Sequence, residues 1–171
     1  MRGRLLGASI VLLIVPHARA GELHVHVADA RGAAVADAVV TAEARGNVDM
    51  STSHAPATKV IDQKNETFLP YIEIFHPGDK VVFHNSDRTR HHVYTFAPAR
   101  QFEFVLAPGQ SSDPIELDHP GSIAVGCNIH DGMITYLYVS AAPWIARTDK
   151  DGNATLDLPR GDFGVRAWHP Q

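Results

Sequence analysis

Seven consecutive residues, Cys127-Asn128-Ile129-His130-Asp131-Gly132-Met133, place a thiolate, an imidazole and a thioether in one short turn, spaced Cys-x2-His-x2-Met. These side chains bind soft and borderline transition metals. Cys127 is the sole cysteine of the 171-residue chain, so it forms no intramolecular disulfide. Apolar runs flank the turn, Ile123-Ala124-Val125 before it and Tyr136-Leu137-Tyr138-Val139 after it, and predict two strands that hold it at one end. A second strong nitrogen donor is needed to complete a metal site, and it must come from another strand. Upstream, Arg90-His91-His92-Val93 opens a β-like run just after the turn formers Asn85, Ser86 and Asp87. Side chains alternate across a strand, so His91 and His92 face opposite ways and only one of them can point at Cys127.

Other histidines and acids carry weaker signals. His24 and His26 share one face of a period-two run, but no third ligand is visible, and they read as polar positions on a half-buried strand. Met50 and His54 fall in a polar loop broken by Gly46 and Pro56 and read as solvated. His76, His84, His119 and His169 show no ligand-like spacing and receive no role. The acidic run Asp149-Lys150-Asp151-Gly152 places its glycine too early for a calcium loop of the EF-hand kind and reads as a hairpin turn.

The elements that position the Cys127 turn occupy most of the chain. Residues 1–20 combine Arg2 and Arg4 with the apolar stretch Leu5–Val15 and end in Ala18-Arg19-Ala20, the pattern of a cleaved signal peptide. The protein is therefore expected to be periplasmic or otherwise exported, with no membrane insertion after cleavage. Removing this leader takes away three arginines and no acids, moving the formal charge from −4 to −7, a balance that argues against nucleic-acid binding. An unprotected thiol in an oxidising compartment is a liability that a bound metal removes. Eight strands are predicted, near Lys59–Asp62, Tyr71–Phe75, Lys80–Asn85, His92–Phe96, Phe102–Val105, Ile115–Leu117, Ser122–Cys127 and Thr135–Ser140. Pro77-Gly78-Asp79, Pro108-Gly109 and Pro120-Gly121 punctuate them, and no helical period competes. The fold class is all-β, an antiparallel Greek-key β-sandwich.

The segment from Thr58 to Ser140 resembles the blue-copper cupredoxins, plastocyanin and amicyanin among them. Glu66-Thr67-Phe68-Leu69-Pro70 and Pro77-Gly78-Asp79-Lys80-Val81-Val82-Phe83 are similar to their strand-and-turn phrases, and Arg90-His91-His92-Val93 to their first-ligand motif. The resemblance implies four copper ligands, His91, Cys127, His130 and Met133. Two departures stand out. His92 replaces the family's asparagine that ties the two ligand loops together, and a register shift would make His92 the ligand instead of His91. Ile129 stands where plastocyanin has a proline. Two imidazoles and a thiolate form a trigonal set, and a thioether is a weak axial donor, a combination that favours copper over structural zinc. With four positions filled, the resemblance implies a one-electron carrier rather than an enzyme. Its expected partner is a redox protein such as a c-type cytochrome or a dehydrogenase, met through a basic rim at Arg88, Arg90 and Arg100. Copper delivery, and a non-catalytic sensory or interaction module, are the alternatives.

The ends of the chain differ from this core. Val27–Gly32 with Val35–Val40, and Asp149–Gly152 through Trp168, weakly resemble the opening and closing strands of carboxypeptidase-regulatory-like β-sandwiches. The expected organisation is a leader at 1–20, N-terminal accessory strands at 21–45, a linker at 46–57, a copper domain at 58–140 and C-terminal accessory strands at 141–171. On this reading the two ends pair into one small β module with the copper domain inserted between them.

Overall fold

A computed structural model describes residues 21–46 and 54–171. The leader at 1–20 and most of the linker, Met50 included, lie outside the described residues. The chain begins with β1 (Gly21–His26) and β2 (Val39–Ala44). Nine strands follow: β3 (Thr58–Gln63), β4 (Phe68–Leu69), β5 (Ile72–Phe75), β6 (Asp79–Asn85), β7 (His91–Thr95), β8 (Phe102–Leu106), β9 (Ile115–Leu117), β10 (Gly121–Cys127) and β11 (Ile134–Val139). Three more end it: β12 (Trp144–Arg147), β13 (Asn153–Leu158) and β14 (Phe163–Trp168). No helix occurs among the described residues, so none is long and apolar enough to cross a membrane.

The middle nine strands form two sheets, ordered β5-β11-β10-β7-β8 and β4-β3-β6-β9. Period-two burial shows why they face each other. In β6, Asp79, Val81, Phe83 and Asn85 are buried while Lys80, Val82 and His84 are partly exposed. Ile61, Phe68, Val81 and Phe83 from one sheet share a core with Val93, Ile123, Val125 and Leu137 from the other. Most neighbours run antiparallel, but β11 pairs parallel with β5 and β3 pairs parallel with β6. Alternating hydrophobicity specifies which face of a strand is buried, not its direction. Parallel neighbours need connections that cross the sandwich, and those leave no turn signature. The short β4 was not among the expected strands, because Pro70 cuts its apolar run after two paired residues.

The chain ends pair with each other. β1 lies antiparallel to β13, with Leu23 opposite Leu156, and β2 lies between β12 and β14. Val40 and Ala42 pack with Ala154, Leu156 and Leu158 in a second core, flanked by Leu23, Val25, Trp144 and Phe163. The Asp149 carboxylate accepts the backbone N–H groups of Asp151 and Asn153 at 2.9 Å, which makes this acidic run a turn. The Trp168 ring lies 4.8 Å from that of Tyr138 on β11, and the Arg147 guanidinium donates to the Ile72 carbonyl at 2.6 Å, so the terminal module leans on the β5–β11 edge.

Candidate metal centre

Three strand ends meet at one end of the middle sandwich. His91 opens β7, Cys127 closes β10, and the turn from Asn128 to Met133 carries His130 back over them before β11. Burial in β7 alternates: His91, Val93 and Thr95 point inward, His92 and Tyr94 outward. His91 is thus driven into the sandwich by the same period that buries Val93, and it is fully buried. Gly132, at φ +75°, supplies the left-handed residue that lets the chain reverse between His130 and Met133.

The donor atoms converge. Cys127 Sγ lies 3.7 Å from His91 Nδ1 and 3.8 Å from His130 Nδ1, and the two Nδ1 atoms are 3.0 Å apart. Bonds of about 2.0 Å to nitrogen and about 2.3 Å to sulfur place donors around one ion roughly 3–4 Å from each other. The three side chains therefore fit a single metal ion without rearrangement. Met133 is buried, 4 % exposed, in the core against which Cys127 packs, and its carbonyl accepts the Cys127 N–H at 3.1 Å. The contacts bring His91, Cys127 and His130 together and put Met133 beside them in sequence and burial.

His92 faces the other way. Its Nε2 lies 2.8 Å from Glu103 Oε1, and its ring tilts toward Tyr94 on the outer face of the sheet. Two bonds tie the ligand loops: Asn128 N–H donates to the His92 carbonyl at 3.0 Å, and the Asn128 side-chain amide lies 3.5 Å from His92 Nδ1. Ile129 is 45 % exposed beside His130.

Asp87, read from the sequence as a turn former, has a direct role at the site. Its Oδ2 lies 2.9 Å from His91 Nε2. An ionised Asp87 keeps the His91 proton on Nε2, so the Nδ1 lone pair faces Cys127. Burial opposes ionisation of Asp87, but the backbone N–H groups of Glu66 and Asn65 and the His91 ring outweigh it and hold the carboxyl below its ordinary range. The i, i+4 spacing of Asp87 and His91 was the available signal, hidden because it spans a loop rather than a helix. On the solvent side, His130 Nε2 lies 3.8 Å from Glu66 Oε1, with the His130 side chain 17 % exposed. Arg88, Arg90 and Arg100 are exposed.

His24 and His26 meet Thr155 Oγ1 at 3.1 Å and Asn153 Oδ1 at 3.0 Å across the β1–β13 ladder, the polar strand positions expected of them. His84 bonds Ser111 Oγ at 2.8 Å. His54 and His76 depart from the sequence reading: with Asp79 they form a second group of potential ligand atoms, all within 4.8 Å of one another.

No protein-family model matches the sequence, and no curated protein does either. Solved structures do show likeness. A copper-containing nitrite reductase from Thermus scotoductus SA-01 is 20 % identical over 57 % of this chain, at a TM-score of 0.45. The chain spans only 25 % of the length of that enzyme. A reduced variant of amicyanin is 16 % identical over 59 % of this chain and 98 % of its own, again at 0.45. A purple cupredoxin from Nitrosopumilus maritimus is 18 % identical over 49 % of this chain and 99 % of its own, at 0.42. Overlaps this loose add nothing to what the strands and side chains of this chain establish. On those, the middle unit is a cupredoxin-like β-sandwich, defined by its two facing sheets and by a His–Cys–His cluster gathered from β7 and the β10–β11 turn.

Proposed function

We propose that this chain is an exported type 1 copper protein that carries single electrons between redox partners. The observation that carries the reading is the Nδ1–Sγ–Nδ1 cluster, three donors 3.0–3.8 Å apart from β7, the end of β10 and the turn that follows it. Bound copper supplies a one-electron couple there. His91, Cys127 and His130 would hold it as strong ligands, and Met133 would add a weak thioether donor. The chain's own contribution is rigidity. Asp87 fixes the tautomer and orientation of His91, the Met133 carbonyl anchors the Cys127 backbone, and the Asn128–His92 bond locks the two loops in register. Ligands held this way move little when charge changes, and that suits a carrier.

The burial of His91 and Met133 supports electron transfer over catalysis, because it leaves no open approach for a substrate from their side. His130 is the more exposed imidazole and the natural exit toward a partner. Exposed Arg88 and Arg90 follow the Asp87 turn that holds His91, and they fit an acidic patch on a partner such as a c-type cytochrome or a dehydrogenase. Export follows from the leader-like residues 1–20. The deciding measurement is a visible spectrum after Cu(II) addition. An intense blue charge-transfer band is expected in the wild type and its loss in Cys127→Ser; a colourless wild type ends the reading.

A further inference from the structure

A second cluster sits at the opposite end of β5, where the linker enters the sandwich. The turn His76-Pro77-Gly78-Asp79 leads into β6, with Asp79 N–H donating to the His76 carbonyl at 3.0 Å and Gly78 at φ +91°, the proline–glycine order of a type II turn. This turn aims the Asp79 carboxylate inward, where it is fully buried. His54 approaches from the linker, its Nε2 2.8 Å from Asp79 Oδ1, and its ring stacks on that of His76 at 4.0 Å. His76 Nδ1 lies 3.9 Å from Asp79 Oδ2, too far for a hydrogen bond, and it is buried with no partner among the described residues.

That orphan nitrogen is the observation that a purely structural account leaves over. Asp79 alone is well explained as a cap, since it accepts the N–H groups of His76 at 2.8 Å and Ala57 at 2.7 Å. A buried imidazole nitrogen without a partner is costly, and native structures rarely leave one unpaired. A cation between the three side chains would satisfy it. The two rings have room to turn: the side chains of His54 and His76 are 38 % and 26 % exposed. Both rings border a cavity of about 720 Å³ at the seam with the terminal module, lined on the far side by Trp144, Ile145 and Asp157.

We propose that His54, His76 and Asp79 form a second metal site, for a divalent d-block cation of the zinc or copper(II) kind, on the seam between the middle sandwich and the terminal module. Two imidazoles and one carboxylate make the nitrogen–oxygen set these ions favour, and the cavity leaves a fourth position for water. No thiolate or thioether takes part, so the site does not select Cu(I) and is chemically distinct from the cluster at Cys127. Occupancy ties the linker end at His54 to the start of β6.

The test uses the full exported chain, loaded with one equivalent of copper as Cu(I), desalted, oxidised and titrated with zinc, with metals counted by elemental analysis. One copper and one zinc per chain are expected, with the visible band unchanged. In His54→Ala/His76→Ala the zinc equivalent is lost and the copper kept, while His24→Ala/His26→Ala behaves like wild type. Cys127→Ser, titrated with zinc without prior copper, keeps the zinc equivalent, so the result stands apart from the copper reading. The inference is overturned if wild type takes up no zinc, if zinc enters only by bleaching the visible band, or if the His54/His76 variant binds zinc as wild type does. Asp79 is left intact because its substitution also removes the caps on Ala57 and His76.

Discussion

At the scale of single residues, Asp87 orients His91, the first of the proposed copper ligands. Its carboxylate is fixed by the Glu66 and Asn65 N–H groups and in turn fixes His91. Asp87→Asn keeps the shape but removes the charge that holds the proton on Nε2. Copper affinity, measured by competition with a chelator, is expected to fall about 10–100-fold, while the loaded variant keeps its visible band. An unchanged affinity would remove Asp87 from the site. Asp79 and His76 make a second prediction at this scale, for the apoprotein. Burial disfavours the Asp79 anion, but the His76 and Ala57 N–H groups and His54 outweigh it and lower its pKa from the ordinary 3.8. Burial likewise lowers the pKa of His76 from 6.5. Both groups bind protons more readily when unfolded, so their contributions are present at neutral pH and drain away on acidification. Loss begins below about pH 6.5 for His76 and below about 3.8 for Asp79. Urea melts between pH 7 and pH 3 should show stability falling in that order, and His76→Ala should lose the upper part of the slope.

Among the elements, a few long-range polar contacts add to the ladders and apolar core that pair the chain ends. Thr148, just past β12, is buried; its hydroxyl accepts the Ala38 N–H and donates to the Val35 carbonyl, each at 2.8 Å. These bonds join segments more than a hundred residues apart in sequence. Thr148→Val keeps the volume but orphans both backbone groups and is expected to cost about 1–3 kcal/mol in chemical denaturation. The visible spectrum of the copper-loaded protein should not change, because the cluster at Cys127 stands on different strands. A spectral change would mean that the two β units are coupled more tightly than the Tyr138–Trp168 and Arg147–Ile72 contacts suggest.

Over the whole molecule, the distribution of charge bears on the proposed docking. The chain is acidic, yet Arg88 and Arg90 are exposed just ahead of His91. If these arginines steer an acidic partner, transfer rates should fall as salt rises, and Arg88→Glu/Arg90→Glu should slow transfer at low salt while leaving the spectrum intact. Stopped-flow mixing with a negatively charged cytochrome at several ionic strengths measures both effects. Rates indifferent to salt and to the substitutions would place docking elsewhere.

Local pattern determined much of this protein. Period-two burial made the sandwich legible, and Cys127-x2-His130-x2-Met133 marked the turn that carries the donor cluster, because strand faces and tight turns are short-range properties of the chain. Tertiary structure decided what short range cannot hold. The parallel pairings β5–β11 and β3–β6, the inward turn of His91 against the outward turn of His92, and the Asp87 contact each depend on which strands become neighbours. His54 and His76 looked like unrelated polar residues because the strands β3, β4 and β5 separate them in sequence. They meet only because Asp79, buried by the same alternation that buries Phe83, draws both to one carboxylate.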